Sequence, residues 1–349
     1  MRLLLIVPFY FSLLSCQSEF LEVEWRQEVA AETGLKLGGC VVGEFNPDND
    51  GADIAVVAVD GSVFVMTRDG ETWKKETAAK LTGEMIQCTA GEIDASHKGD
   101  EIIVCGMLEG GEDDGGRGAA YCLRHKDGSF TTEKILEDDQ LFHAVCVADL
   151  DSSDPGPEIL LAGYTKKAHI MAYNTGQWEK LAEVDLPGRA KGACEGRGGA
   201  IVACAEGQLV TIVKKGDNYT VTELFTSENP LARVTCNDGT IAVCDNGGAF
   251  HVLPSGESKP TTYAVDKDRL RGAIIADLHP NQDGLEWATA GYNGQIMIVL
   301  PGTAEKPEIK IIGKDDDKFH HLAFGDLPGL GKSLVGCGYS GRVIVCSVK

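Results

Sequence analysis

The chain has little positive charge, few aromatic side chains and no long apolar segment after its first residues. It contains 32 lysine and arginine residues against 53 aspartate and glutamate residues, and its formal net charge is −21. A surface this acidic repels nucleic acid and anionic lipid headgroups, which argues against both as partners. Sequence fingerprints of serine hydrolases, Walker-type nucleotide sites and dinucleotide sites do not occur. These absences indicate an acidic globular protein in which no short motif identifies a catalytic activity.

The first sixteen residues are predicted to be an export signal. Arg2 precedes the apolar run Leu3–Leu14, which is too short to span a bilayer as a stable helix. The run ends in Leu13-Leu14-Ser15-Cys16, which resembles the bacterial lipoprotein box, in which the cysteine carries the lipid. We therefore expect a protein of the cell envelope, exported and attached to a membrane only through lipid at Cys16. The alternative is an ordinary secretory signal and a secreted protein.

A degenerate repeat occupies the rest of the chain. Seven short apolar runs are each preceded by another apolar strand, and most of them are followed by a glycine hairpin turn such as Asp60-Gly61 or Asn293-Gly294. The runs begin at Asp53, Glu101, Glu158, Ala200, Thr240, Glu286 and Ser333. Each repeat then continues into a third strand and a more polar fourth one. Four-stranded units of this length are typical of propeller blades.

The predicted fold is therefore all-β, a seven-bladed β-propeller with four-stranded blades that forms one domain over residues 20–349. The last repeat ends at Lys349 with three strands, and the alternating stretch Phe20–Trp25 can supply the fourth and close the ring. A different number of blades is the alternative, because the repeat is weakest in blades 4 and 5. We expect a monomer.

The twelve cysteines do not form a metal-binding or disulfide pattern. Four of them occupy one column of the second strands, and three lie on inner strands. Equivalent positions of neighbouring blades are too far apart to bridge, and no Cys-x-x-Cys pair occurs. They are interpreted as small buried apolar residues, although one disulfide is not excluded.

Four repeats share an acidic loop between their first and second strands, with acidic residues nine positions apart, as in Glu44–Asp53 and Glu92–Glu101. This pattern resembles the FG-GAP (integrin-type, VCBS-like) propeller repeat over nearly the whole mature chain. The resemblance implies Ca²⁺ binding in such loops, because oxygen ligands at alternate positions can wrap the ion. The first blade keeps the densest set of candidate ligands: Glu44, Asn46, Asp48, Asp50 and Asp53. The alternative is a solvated acidic turn.

One end of the propeller axis is predicted to collect cationic and aromatic side chains. Inner strands begin there and second-to-third-strand turns return there. The candidate ligand-binding residues are Arg189, Arg233, Arg271, Tyr164, Lys166, Tyr292, Tyr339 and His321, and the candidate catalytic pair is His143 and His320. Arginine forks suit carboxylate or sulfate, and tyrosine rings stack on sugars. Each arginine could instead pair with a nearby acid such as Asp139 or Asp268.

Three functions follow as hypotheses. The first is a binding module that holds an anionic ligand, preferably a carbohydrate, in the axial funnel. The second is a sugar lyase or dehydratase in which His143 and His320 act as base or metal ligands while the arginines hold a carboxylate. The third is a cell-envelope scaffold that binds protein partners and leaves the funnel empty.

Overall fold

The computed structural model describes residues 23–49, 51–108, 116–151, 156–278, 284–303 and 306–349, with backbone alone at 301–303. All regular secondary structure in these ranges is β, arranged as seven antiparallel four-stranded sheets. The inner strands touch one another in sequence around the molecule, and the last touches the first. The predicted seven-bladed propeller is confirmed.

The chain begins with β1 (Trp25–Glu32), and each blade then takes strands in chain order from the axis outwards. Blades 1 to 3 contain β2 (Leu37–Gly43), β3 (Asp53–Ala58), β4 (Ser62–Asp69), β5 (Thr72–Lys80), β6 (Glu84–Gly91), β7 (Glu101–Met107), β8 (Gly118–Lys126), β9 (Ser129–Asp138), β10 (Phe142–Ala148), β11 (Glu158–Gly163), β12 (Lys167–Asn174) and β13 (Gln177–Asp185). Blades 4 and 5 contain β14 (Ala190–Gly196), β15 (Gly199–Cys204), β16 (Gln208–Lys215), β17 (Asn218–Thr226), β18 (Leu231–Asn237), β19 (Thr240–Asp245), β20 (Ala249–Leu253) and β21 (Thr261–Ala264). Blades 6 and 7 contain β22 (Ile274–Ala276), β23 (Glu286–Ala290), β24 (Gln295–Thr303), β25 (Lys306–Lys314), β26 (Phe319–Leu327), β27 (Gly331–Gly338) and β28 (Arg342–Val348).

The N-terminal strand closes the ring, as predicted, but further along the chain than expected. Strand β1 pairs antiparallel with β28, with Trp25 opposite Val348 and Glu32 opposite Arg342. The closing strand therefore begins at the last residue of the predicted stretch Phe20–Trp25. Because the first and last strands of the described residues share one sheet, the seventh blade holds the ring shut.

Seven apolar clusters form the core, one at each junction between neighbouring blades. Strand β3 shows why its sequence is apolar throughout: Ile54 and Val56 pack towards blade 7, whereas Ala55 and Val57 pack towards blade 2. Successive side chains of a strand point to opposite faces of the sheet, and here both faces are covered. The described residues contain no helix with the length and apolar character to cross a bilayer.

The cysteines belong to this core. All eleven that the structure describes are unpaired, and nine of them are buried. Burial raises the pKa of thiols such as Cys105 and Cys146, so they stay protonated. Their interpretation as small apolar residues holds for the described part of the chain, and Cys16 lies outside it.

Candidate functional site

A β-bulge at the start of each inner strand shapes the upper end of the axial channel, which is the end where these strands begin. In five blades the inner strand has one extra residue that has no partner residue on the second strand: Gly38, Ile86, His143, Lys191 and His320. In blade 5 the bulge holds Ala232 and Arg233, and in blade 6 the N–H groups of Arg271 and Gly272 share the carbonyl of Ala290. A bulge redirects a side chain from its normal face.

The structure corrects the predicted register in blade 4. The bulge residue there is Lys191, and Arg189 lies two residues earlier. Arg189 is half-buried. Its backbone N–H and Nε donate to the two carboxylate oxygens of Glu206, at 2.7 and 3.1 Å. Lys166 lies 3.9 Å from the same carboxylate. Arg189 thus has the ion-pair role that was the alternative for the arginines, although with Glu206 as the acid, and Lys166 lies beside the same carboxylate.

Arg233 is the central cation of the site. Its side chain is buried, with 4% of its surface exposed, and lines the channel. Its Nη1 donates to the carbonyl of Lys191 and faces Nδ1 of His143 at 3.5 Å. Nε and Nη2 have no partner among the described residues. Burial and the charge of Arg271 lower the pKa of Arg233 to about 10, which still leaves it charged at neutral pH.

Three tyrosines after the second strands carry further cations on their rings. In blade 3, Nζ of Lys191 lies 4.5 Å from the centre of the Tyr164 ring and bonds its hydroxyl. In blade 6, the guanidinium of Arg271 lies 4.8 Å from the centre of the Tyr292 ring, and Nζ of Lys318 lies 5.1 Å from it. Such contacts hold cations in place without neutralising them.

Blades 6 and 7 join their tyrosines directly. The hydroxyls of Tyr292 and Tyr339 lie 3.4 Å apart. Burial would raise the pKa of Tyr292, but the bond with Tyr339 and the charge of Arg271 outweigh it and lower that pKa. Burial and the same bond raise the pKa of Tyr339 to about 12. The hydroxyl of Tyr339 is therefore protonated at neutral pH and can donate a hydrogen bond.

Both candidate catalytic histidines line this end and are neutral. His143 stacks on Tyr164, and His320 stacks on Tyr339 with ring centres 5.5 Å apart. Burial and the nearby cations lower the pKa of His143 well below its usual value and that of His320 to about 3. Nδ1 of His320 donates to the carbonyl of Gly38 at 2.7 Å, which leaves Nε2 unprotonated. Such weak bases are poorly matched to proton abstraction at neutral pH.

His321 lies deeper than the other candidates. Its Nε2 is 2.9 Å from the side-chain amide nitrogen of Gln87, and its Nδ1 is 3.5 Å from Sγ of Cys40. Burial and the charge of Arg233 lower its pKa. Gln87 is buried, and its Oε1 has no partner among the described residues. The sequence analysis did not identify Gln87 or Lys191.

The acidic loops at the lower end of the channel owe their spacing to backbone hydrogen bonds. The second acid of the motif turns back and accepts N–H groups of the loop: Glu101 from Ile93 at 2.7 Å, Glu158 from Leu150 at 2.8 Å, and Glu286 from Leu278 at 2.7 Å. Nine-residue spacing is therefore the geometry of a capped turn. It needs no bound ion in these three blades.

The first loop differs from the others. Oδ2 of Asp53 accepts the N–H of Asn46, whereas its buried Oδ1 has no partner among the described residues. Burial raises the pKa of Asp53. A free carboxylate oxygen suits a cation such as Ca²⁺. Among the described residues no group of three or more His, Cys, Asp or Glu side chains is arranged for a metal, and Asp50 lies outside them.

Comparisons with known proteins show the fold. The chain is similar to the crystal structure of the WD40 beta propeller domain of Doa1, with a TM-score of 0.67 and 12% sequence identity over 93% of this chain and 97% of that one. No protein-family model matches the chain, and no curated protein matches it significantly.

Proposed function

We propose that the upper end of the channel binds an anionic ligand, preferably a carbohydrate with carboxylate or sulfate groups. The observation that carries this proposal is a pair of neighbouring guanidinium groups for which the described residues supply no carboxylate partner. Arg233 bonds a backbone carbonyl and faces a histidine nitrogen, and Nη1 of Arg271 bonds Oδ1 of Asn246 and the carbonyl of Leu270. Like charges close enough to lower a pKa repel each other, and an anion between them relieves that repulsion.

The tyrosines support a sugar as the ligand. Flat ring faces beside hydroxyl donors suit the mixed apolar and polar surface of a pyranose. Tyr164 and the Tyr292–Tyr339 pair stand at different blades of the same end, with Lys191 and Arg271 beside them. Charged and aromatic groups that converge in the mouth of a ring-shaped fold form an ordinary small-molecule site.

We further propose that the protein is an exported lipoprotein of the integrin-type repeat family, with Cys16 as the lipid carrier. The capped acidic loops support the family, and the unpartnered Oδ1 of Asp53 supports Ca²⁺ in the first loop together with Glu44, Asn46, Asp48 and Asp50. A formal net charge of −21 suits an envelope setting rich in divalent ions.

A panel of uronates, sulfated sugars, neutral sugars and divalent ions tests the binding proposal by thermal unfolding of the purified protein. A ligand at about 100 times its Kd stabilises the native state by about 2.7 kcal/mol. We expect a shift with anionic sugars, and we expect Arg271→Ala and Lys191→Ala to remove it. Lys180→Ala, on an exposed outer strand, is the control cation. A shift with Ca²⁺ alone would contradict sugar binding and favour a scaffold.

The same panel addresses the lyase or dehydratase alternative. A uronate that binds should be recovered unchanged, because neither histidine has the pKa of an efficient base. Unsaturated sugar products would overturn that expectation, and their loss in His320→Gln would then assign the base.

A further inference from the structure

Below the bulges the channel contains a cavity, which we call the chamber. It has a volume of about 300 Å³. That is about twice the size of an engineered cavity that holds one benzene. Its walls present polar and apolar surface in about equal parts, and their apolar side chains come from the middle and end of the inner strands: Val42, Val145, Ala193, Val234, Ile274 and Phe324. No part of the upper cation cluster other than Arg233 lines it.

The chamber has a polar ceiling. Arg233, Gln87 and His321 lie at its upper end, and Arg233 and Gln87 are 4% and 5% exposed. Nη1 of Arg233 is engaged above, by the carbonyl of Lys191, whereas Nε and Nη2 have no partner among the described residues. Oε1 of Gln87 has none either. A guanidinium and an amide left without protein partners in one ceiling are costly unless a ligand or a bound water completes their hydrogen bonds.

The chamber opens at the lower end. Arg233 and Val234 are buried, whereas Thr235, Val42 and Phe324, nearer the carboxyl ends of their strands, are half-buried. Strands rise about 3.3 Å per residue, so the three positions from the ceiling to the level of Phe324 span about 10 Å. A ligand can therefore enter from the face of the acidic loops, opposite the funnel.

We propose that the chamber binds a monocarboxylate with an apolar body of about ten carbons, the carboxylate on Arg233 and the chain along the apolar walls. A single fork-shaped cation matches a single carboxylate, because two parallel N–H groups can each bond one oxygen. The apolar walls contribute roughly 0.8 kcal/mol for each buried methylene group. This site goes beyond the proposed function and does not depend on sugar binding, although the two share Arg233.

Decanoate is the probe, with acetate and decanol as partial ligands, measured by isothermal titration on the purified protein below the concentration at which decanoate self-associates. We expect saturable one-to-one binding of decanoate. Acetate lacks the apolar body and decanol lacks the charge, so each should bind at least ten-fold more weakly.

Variants distinguish the contribution of the ligand's carboxylate to binding from that of its apolar chain. Arg233→Met should weaken decanoate at least ten-fold and leave decanol unchanged, because only the charge pair is lost. Ala193→Phe fills the chamber and should abolish both, with Thr235→Leu in its place if that variant does not fold. Arg271→Ala should leave decanoate binding unchanged while it weakens the funnel ligand, which distinguishes failure of one site from failure of the other.

Two results would overturn the proposal. One is the absence of saturable decanoate binding to the native protein. The other is decanoate binding that persists in a folded chamber-filling variant, since the ligand would then lie elsewhere on the surface.

Discussion

The lower loops and the axial channel both contain buried charged side chains, but the hydrogen bonds of these side chains differ. Glu101 is fully buried and bonds the backbone N–H groups of Ile93 and Asp94 and Nε of Arg124. Arg233 is almost as buried and keeps two nitrogens without a partner among the described residues. A buried charge whose hydrogen bonds are complete holds the fold, whereas one whose bonds are incomplete is a place for a ligand. Glu101 and Arg233 therefore differ in their hydrogen-bond partners and not in how deeply they are buried.

The strongest test of this comparison is to remove Glu101, the buried charge whose hydrogen bonds are complete. Glu101→Leu leaves the N–H of Ile93 without its acceptor and the guanidinium of Arg124 with Glu133 as its remaining carboxylate. Breaking a buried pair from one side costs about 3 kcal/mol, so we expect a loss of that size in the free energy of unfolding, measured by urea denaturation.

The control is the other carboxylate on the same arginine. Glu133 is 40% exposed, and an exposed ion pair contributes less than about 1 kcal/mol. Glu133→Leu should therefore change the free energy of unfolding little. Equal losses for the two variants would mean that burial of the carboxylate is not what matters.

Asp245 tests whether location or hydrogen bonding decides the role of a buried charge, because it ends the second strand of blade 5, the blade of Arg233. Its Oδ1 accepts the N–H groups of Gly247 and Ala249, both at 2.8 Å, and its Oδ2 lies 3.1 Å from Nε2 of His251. Burial alone would raise the pKa of Asp245, but these bonds outweigh it and lower the pKa. By the comparison above, this upper-end carboxylate is structural.

Because the pKa of Asp245 is lowered, the direction in which its contribution to stability changes with pH can be predicted. A carboxylate whose pKa is lower in the folded state stabilises the protein above its unfolded pKa, near 3.9. That contribution disappears as the pH falls through the folded pKa. We expect Asp245→Asn to cost about 2 kcal/mol at pH 7, and the gap to the unmodified protein to narrow below about pH 4. Acid titrations of stability measure it, with the exposed Asp238→Asn as control. A gap that does not change with pH would contradict the assignment.

The fold was predictable because each second strand is buried on both faces. After its initial acid a strand such as β3 has to be apolar, so Asp53–Ala58 stands out between polar turns, and its predicted bounds are those of the structure. The turn glycines were nearly as clear, since Gly61 and Gly294 adopt the positive φ that favours glycine. In blade 5 it is Gly248 and not the predicted Gly247 that does so.

The site was less predictable because its geometry depends on neighbouring blades. The register of blade 4 failed because β14 and β15 are joined by the tight turn Arg197-Gly198, without the acidic loop from which the other blades can be counted. Lys191 was missed for that reason. Arg189 pairs with Glu206 inside its own blade, whereas Arg233 contacts Lys191 and His143 of other blades, which are 42 and 90 residues away in sequence.

The smallest expected effect is the most direct test of Arg233 as a ligand residue. If its charge is unsatisfied in the free protein, Arg233→Met removes a desolvated cation and loses only the bonds of Nη1. We expect the free energy of unfolding to change by less than about 1 kcal/mol or to increase, because apolar replacement of a buried charge is often neutral or stabilising. Arg124→Met is the matched control, since Arg124 bonds both Glu101 and Glu133 and should lose about 3 kcal/mol. Equal losses for the two arginines in urea denaturation would make Arg233 a structural residue and remove the support that both proposed sites draw from it.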